Sequence, residues 1–162
     1  MRALKARSSW LLAVILALLC AQSCGWNNTM TFHSPSRRAR IEIWQRRVLS
    51  DKGARFELIN EGRRTVLETV DRDTIIQFVH VYWTPDESKV AVVVAGLMIL
   101  HLAANVKTGS PLPFESIRQQ VAKSITETYH VPAGEDPIQW AHSDGQDEFM
   151  KRHPEMFRPL KE

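Results

Sequence analysis

Between Val90 and Ala104 the chain runs for fifteen residues with a single ionisable side chain, His101. A stretch this apolar has to leave water, and few burials are open to it. A membrane-crossing helix needs about 20 apolar residues, and Gly96 interrupts this run. Val90, Val92, Val93 and Val94 are β-branched, which crowds a helix and suits a pleated sheet. The stretch is therefore predicted to be a buried β-hairpin, with residues 89–94 and 98–105 on either side of Ala95-Gly96.

The preceding sequence alternates in the same manner. Ile41, Ile43 and Gln45 alternate with Glu42, Trp44 and Arg46, and Phe56, Leu58 and Asn60 continue the pattern. Asn60-Glu61-Gly62 reads as a turn into a strand over 65–70. In 74–83, Gln77, Val79, Val81 and Trp83 share one face, and Phe78, His80 and Tyr82 the other. Helical periodicity appears only after Pro113, where Ile117, Val121 and Ile125 recur every fourth residue and predict a helix near 114–129. Asp144 is the expected cap of one or two further turns ending at Pro154. Trp140 is expected to bolt the otherwise irregular tail to the domain. The expected class is mainly β (α+β): an antiparallel meander of five to six strands covered by one C-terminal amphipathic helix. A length of 162 residues allows one such domain, and no unit recurs three times, which excludes a closed propeller or solenoid.

Arg2, Lys5 and Arg7 precede an uncharged apolar run of twelve residues from Trp10 to Ala21. This fits the n-region and h-region of a secretory leader and is too short to span a bilayer. Ala21 and Ser23 place small residues at −3 and −1 relative to Cys24. Ala21-Gln22-Ser23-Cys24 resembles the lipobox of bacterial lipoproteins. That resemblance implies a leader of residues 1–23, cleavage before Cys24, a lipid thioether on its sulfur and an acylated amine. The family favours Leu at −3 and Ala or Ser at −2, where this chain has Ala21 and Gln22, and Gly25 stands in place of the Asp of an inner-membrane retention signal. Cys20 would leave with the leader, so Cys24 would be the one remaining thiol, more useful as an anchor than as a free group. Residues 24–39, including Ser34-Pro35-Ser36, read as a flexible tether, with a single β-rich domain over 40–162. An ordinary leader with an incidental Cys24, giving a secreted and unlipidated protein, is the alternative. Asn27-Asn28-Thr29 also fits a glycosylation sequon.

The chain has 21 basic and 18 acidic residues, for a formal charge of +3. Arg2, Lys5 and Arg7 account for that excess, so the chain after the leader is neutral, which argues against nucleic-acid binding. The charge is unevenly placed, with nine bases and four acids over 24–64 and nine bases and fourteen acids over 65–162. Two readings of the basic segment stand: contact with anionic headgroups, or one solvated face of alternating strands.

Tyr82-Trp83-Thr84-Pro85-Asp86-Glu87-Ser88-Lys89, the two apolar strands after it, and Asn105 with Lys107-Thr108-Gly109 are similar to the TolB-type β-propeller repeat. The resemblance implies a blade-like meander in which Trp83 packs between sheets, Pro85 and Asp86 shape the first turn and Gly109 closes the second. The repeat has Ser at Thr84, Gly at Glu87 and Asp at Asn105. One clear copy is legible, with a degenerate second one upstream as an option, and such turns shape the fold rather than perform chemistry.

His33, His80, His101, His130, His142 and His153 include no i, i+4 zinc pair, and no CxxC accompanies them. His80 and His101 fall on neighbouring predicted strands, where they are either partly buried, satisfied histidines or two ligands of an incomplete metal site. Asp71-Arg72-Asp73 reads as a solvated turn, and Asp144-Gly145-Gln146-Asp147-Glu148 lacks Ca²⁺-loop spacing. No nucleophile elbow, phosphate loop or dinucleotide fingerprint is present, and no cofactor is expected. The expectation is a non-catalytic, membrane-anchored lipoprotein of the bacterial envelope, facing the periplasm and held to the bilayer through Cys24. Its domain would bind another envelope component. The rival is a small-ligand or metal-binding protein, or a hydrolase, with a site near His80 and His101.

Overall fold

A computed structural model describes residues 26–48, 51–71 and 75–154; the leader, Cys20 and Cys24 lie outside them. Seven strands are described: β1 (Trp26–His33), β2 (Ala39–Val48), β3 (Asp51–Asn60), β4 (Arg63–Val70), β5 (Ile76–Trp83), β6 (Lys89–Gly96) and β7 (Leu100–Asn105). They form two antiparallel sheets, each a meander in chain order, β1-β2-β3-β4 and β5-β6-β7. A 3₁₀ turn at Phe114–Ser116 leads into helix α1 (Arg118–Thr128), followed by α2 (Pro137–Ser143) and α3 (Gly145–Arg152). The class is mainly β within α+β, as the alternation predicted.

The apolar run occupies the centre. Val90 to Ala95 are all fully buried, so β6 is covered on both faces and never needed a polar side. On one face β6 lies with Phe78, His80 and Tyr82 of β5, and the helices settle there. Phe78 meets the rings of Tyr129 after α1, Trp140 of α2 and Phe149 of α3, at centroid distances of 5.2, 6.5 and 5.5 Å. The other face, with Val90, Val92 and Val94, joins Met30, Ile41, Ile43, Phe56 and Leu58 of the first sheet in one buried core. The result is three layers: first sheet, second sheet, helices.

The first turn of each sheet follows one pattern. Ser34, Arg37 and Ala39 of the β1–β2 turn correspond to Thr84, Glu87 and Lys89 of the β5–β6 turn, 50 residues on. Ser34 N–H donates to Ala39 O at 2.9 Å and Thr84 N–H to Lys89 O at 3.0 Å. The hydroxyls of Ser34 and Thr84 accept from the N–H groups of Ala39 and Lys89. Arg37 and Glu87 both take the left-handed conformation, with φ of 61° and 52°. The upstream turn thus has the backbone geometry of the β5–β6 turn with different residues. The paired turns also touch: Ser36 donates through its N–H and hydroxyl to the Glu87 carboxylate, at 2.8 and 2.5 Å. Those bonds favour the left-handed backbone at Glu87, where a glycine would sit without strain.

The second meander stops at three strands. Past β7 the chain turns back, with Asn105 N–H donating to Ser110 O and Leu112 N–H to Ala103 O. Pro111 makes only an isolated bridge to Ala104.

The expected tether needs correction. Trp26–His33 is β1, paired with β2 from Trp26↔Arg46 to His33↔Arg40, and Ser34-Pro35-Ser36 lies in a turn. An irregularity between Asn28 and Met30 breaks the alternation, and as an edge strand β1 buries only Met30 fully, which left a polar-looking sequence. The domain therefore begins at least fourteen residues before Arg40, with seven strands and three helices in place of five or six strands and one helix. Trp140 is buried as expected, but within α2. The cap differs too. Asp144 makes no side-chain capping bond, whereas Asp136 accepts from Ile138 N–H and Gln139 N–H at the start of α2. Asp136→Ala is expected to lower stability by about 1 kcal/mol in urea denaturation, and Asp136→Asn, which still caps, by much less.

Candidate functional site

The histidines are arranged differently from the expectation. His80 of β5 and His101 of β7 both pair with Val93 of β6, from opposite sides. A whole strand separates them, placing their backbones about 10 Å apart. Each has another partner: His80 Nε2 lies 3.0 Å from Ser124 Oγ of α1, and His101 Nε2 lies 2.9 Å from His142 Nε2 of α2.

His80 is buried, and that burial pulls its pKa down to about 4, so it is a neutral imidazole at pH 7. With Ser124 it forms a serine–histidine pair whose ring lies against Tyr129, itself raised to about 12 by burial. His101 and His142 stack at 5.0 Å between centroids, with Phe114 on His101 at 4.5 Å. Burial lowers both, helped by the Arg118 charge at His101 and by His101 itself at His142. One nitrogen of the pair donates and the other accepts, so a single shared proton satisfies both rings. Among the described residues no group of three or more His, Cys, Asp or Glu is placed to hold a metal. His142 and Ser124 escaped sequence reasoning because the helix–sheet docking that selects them has no local signature.

The turn residues are placed as follows. Trp83 ends β5 and is half-buried, and Pro85 is exposed in the turn. Asp86 Oδ1 accepts from Ser88 N–H at 3.1 Å, and bonds from Thr84 and Ser88 hold its carboxyl down at about 2. Asn105 Oδ1 accepts from the N–H and hydroxyl of Thr108. Gly109 needs its φ of 73°, and a Cβ there would come within 2.6 Å of Thr65 Oγ1 in the first sheet. These residues build ends of sheets.

The outer face of the first sheet is a different matter. Cross-strand register sets Glu42 beside Glu57, Trp44 beside Arg55, Arg46 beside Trp26, and Arg64 opposite Ile59 next to Arg40. Arg46 and Arg55 lie over the Trp26 ring at 5.3 and 5.1 Å, and Arg55 and Arg64 over Trp44 at 6.0 and 5.4 Å. Beneath them sit two buried carboxylates. Glu57 is 1% exposed and pairs with Arg55 and Arg64, while Glu42 pairs with Arg40 and Arg64. Buried charges persist only when paired, so these acids pin the guanidiniums and the indoles keep them flat. Four cations stand against three anions, since Arg46 pairs with Asp71, so the face keeps a small positive excess, with Val66 exposed beside Glu57. Trp44 Nε1 is buried without a hydrogen-bond partner among the described residues. The arrangement suits recognition of carboxylates, which the arginine fork meets with two parallel bonds.

The alternation in 41–46 had indicated one polar face, but which arginine stacks on which tryptophan depends on register between strands. No protein-family model, curated protein or solved structure matches this chain.

Proposed function

We propose that this chain is an exported bacterial lipoprotein, anchored by acyl chains on Cys24, whose domain is a non-catalytic module binding an acidic protein of the cell envelope. The leader pattern before Cys24 supports the address. The reading of the domain is carried by one observation, the rigid arginine–tryptophan face held over Glu42 and Glu57. Its four guanidiniums are pre-oriented, so a partner carboxylate binds them with little ordering cost. This face concentrates charge and aromatic area in one place. The histidine sites offer less to an enzyme or metal carrier: His80 is buried with Ser124 as partner, and His101 is occupied by His142.

Two measurements test the two halves. The intact mass of protein extracted from membranes is expected to equal residues 24–162 plus acyl chains. A bare sulfur at Cys24 points to the secreted alternative. A photo-crosslinking residue at Val66 is expected to give one discrete adduct in cells, lost in Arg64→Glu, while the same residue at Gln120 on α1 gives none. Equal adducts from both positions, or an adduct indifferent to Arg64→Glu, would remove this face as the binding site.

A further inference from the structure

The strand directions gather an unusual set of residues at one end of the molecule. β1 starts at Trp26 and runs toward the Ser34–Arg38 turn, and β6 starts at the Thr84–Ser88 turn and runs toward Gly96. The two turns touch through Ser36 and Glu87, so Trp26 and the β6–β7 loop both lie at the opposite end, about 26 Å away along an eight-residue strand. That loop, within Ala95-Gly96-Leu97-Met98-Ile99-Leu100, has no polar side chain. Leu97 is 67% exposed, Ile99 58% and Ile75, just before β5, 49%. Loops ordinarily carry polar residues at such tips.

This tip is built rather than loose. Leu97 N–H donates to Ile75 O at 3.1 Å. A Cβ on Gly96 would sit 1.9 Å from that same oxygen, so only glycine lets the β5 entry press against the loop and bring Ile75 beside Leu97. Three of the four large hydrophobic residues that are exposed among the described ones belong to this one end. Nearby, the β2–β3 pairing sets Arg47 opposite Lys52 and Val48 opposite Asp51. Arg46 pairs with Asp71 at this same end.

The correction of the tether decides what covers the tip. With a sixteen-residue tether the domain would float well clear of its anchor. With β1 beginning at Trp26, only Gly25 separates the folded chain from Cys24. Two Cα–Cα steps reach at most about 8 Å. We infer that the apolar tip formed by Ile75, Leu97 and Ile99 rests in the bilayer surface beside the anchor, so that the domain stands on the membrane with its strands rising from it. The inference rests on the reading of Cys24 as the lipid-bearing residue. The apolar side chains enter the acyl boundary, and Trp26 lies at headgroup level where indoles are favoured. The Glu87 turn is held at the far end.

The test reconstitutes the membrane-extracted protein into phosphatidylcholine–phosphatidylglycerol vesicles containing a phosphatidylcholine with a diazirine in its acyl chain. After photolysis, peptides are mapped and intact mass reports acylation. Crosslinks are expected within residues 95–100 and not within 84–88, falling about tenfold or more in Leu97→Glu/Ile99→Glu, a loss equal to about 1.4 kcal/mol. Both positions are exposed, and circular dichroism checks that the variant remains folded. An acylated protein without crosslinks at 95–100, or with equal crosslinks at 84–88, overturns the inference and leaves the anchor standing. Crosslinks at 95–100 on protein that carries no acyl mass sustain the membrane-seated tip and overturn the anchor. Absence of both overturns both.

Discussion

Phe78→Ala is expected to remove about 3–5 kcal/mol, the range for deleting a fully buried aromatic ring, and to do so where residues on or beside the three described helices meet one ring of the sheet. Phe78 has no exposed surface. Its ring faces Tyr129, Trp140 and Phe149, which stand on or next to three different helices. Alanine leaves a cavity that no single helix can fill without losing its hold on the others. Since a domain of this kind is stable by about 5–15 kcal/mol in all, the urea midpoint should fall steeply, and the near-ultraviolet signal of Trp140 should weaken before the strands unfold. Phe78→Leu, which refills part of the volume, should lose far less. A loss below about 1 kcal/mol for the alanine variant would show that the helices are held by something other than this ring.

Acidification is expected to weaken the fold between pH 6.5 and 4 through His80. Burial holds its imidazole down to about 4 in the folded protein against 6.5 for a free histidine. As pH falls, the unfolded chain binds a proton first and the folded chain only near pH 4. The stability linked to His80 is therefore complete above about pH 6.5 and declines as pH falls to about 4, by about 3 kcal/mol over the window. His101 and His142 are lowered as well, so they act in the same direction. Asp86 and Asp136 are also held low, which places their own loss of stability beneath the window. Urea unfolding at pH 7 and pH 4.5 measures the difference, and His80→Gln should remove a large part of it. An unchanged pH dependence in that variant would mean that His80 takes up its proton without disturbing the helix above it.

What could be read from the residues was whatever repeats at short range. Val90 to Val94 announced a strand buried on both faces, and Ile117, Val121 and Ile125 announced α1. In β1 the same logic failed, because an edge strand with an irregularity at Asn28–Met30 shows neither steady alternation nor a continuous apolar run. The likeness of the two turns is faint in the sequence for a related reason: Ser34 and Thr84, or Arg37 and Glu87, share backbone geometry and hydrogen-bond roles with little chemical likeness. The arginine–tryptophan face was legible only as polar alternation, since stacking needs the register of three strands. His101 was singled out, but its partner His142 lies 41 positions away on a helix with no periodic stripe.

The way the second sheet finishes has a consequence for the protein in a crowded compartment. Beyond β7 the outward amide of Asn105 and carbonyl of Ala103 are already taken by Ser110 and Leu112. Between those two, Pro111 has no amide hydrogen to offer an incoming chain. Along this stretch a neighbouring strand therefore finds fewer groups to pair with. One short backward bend thus shields the end of β7 from strand addition.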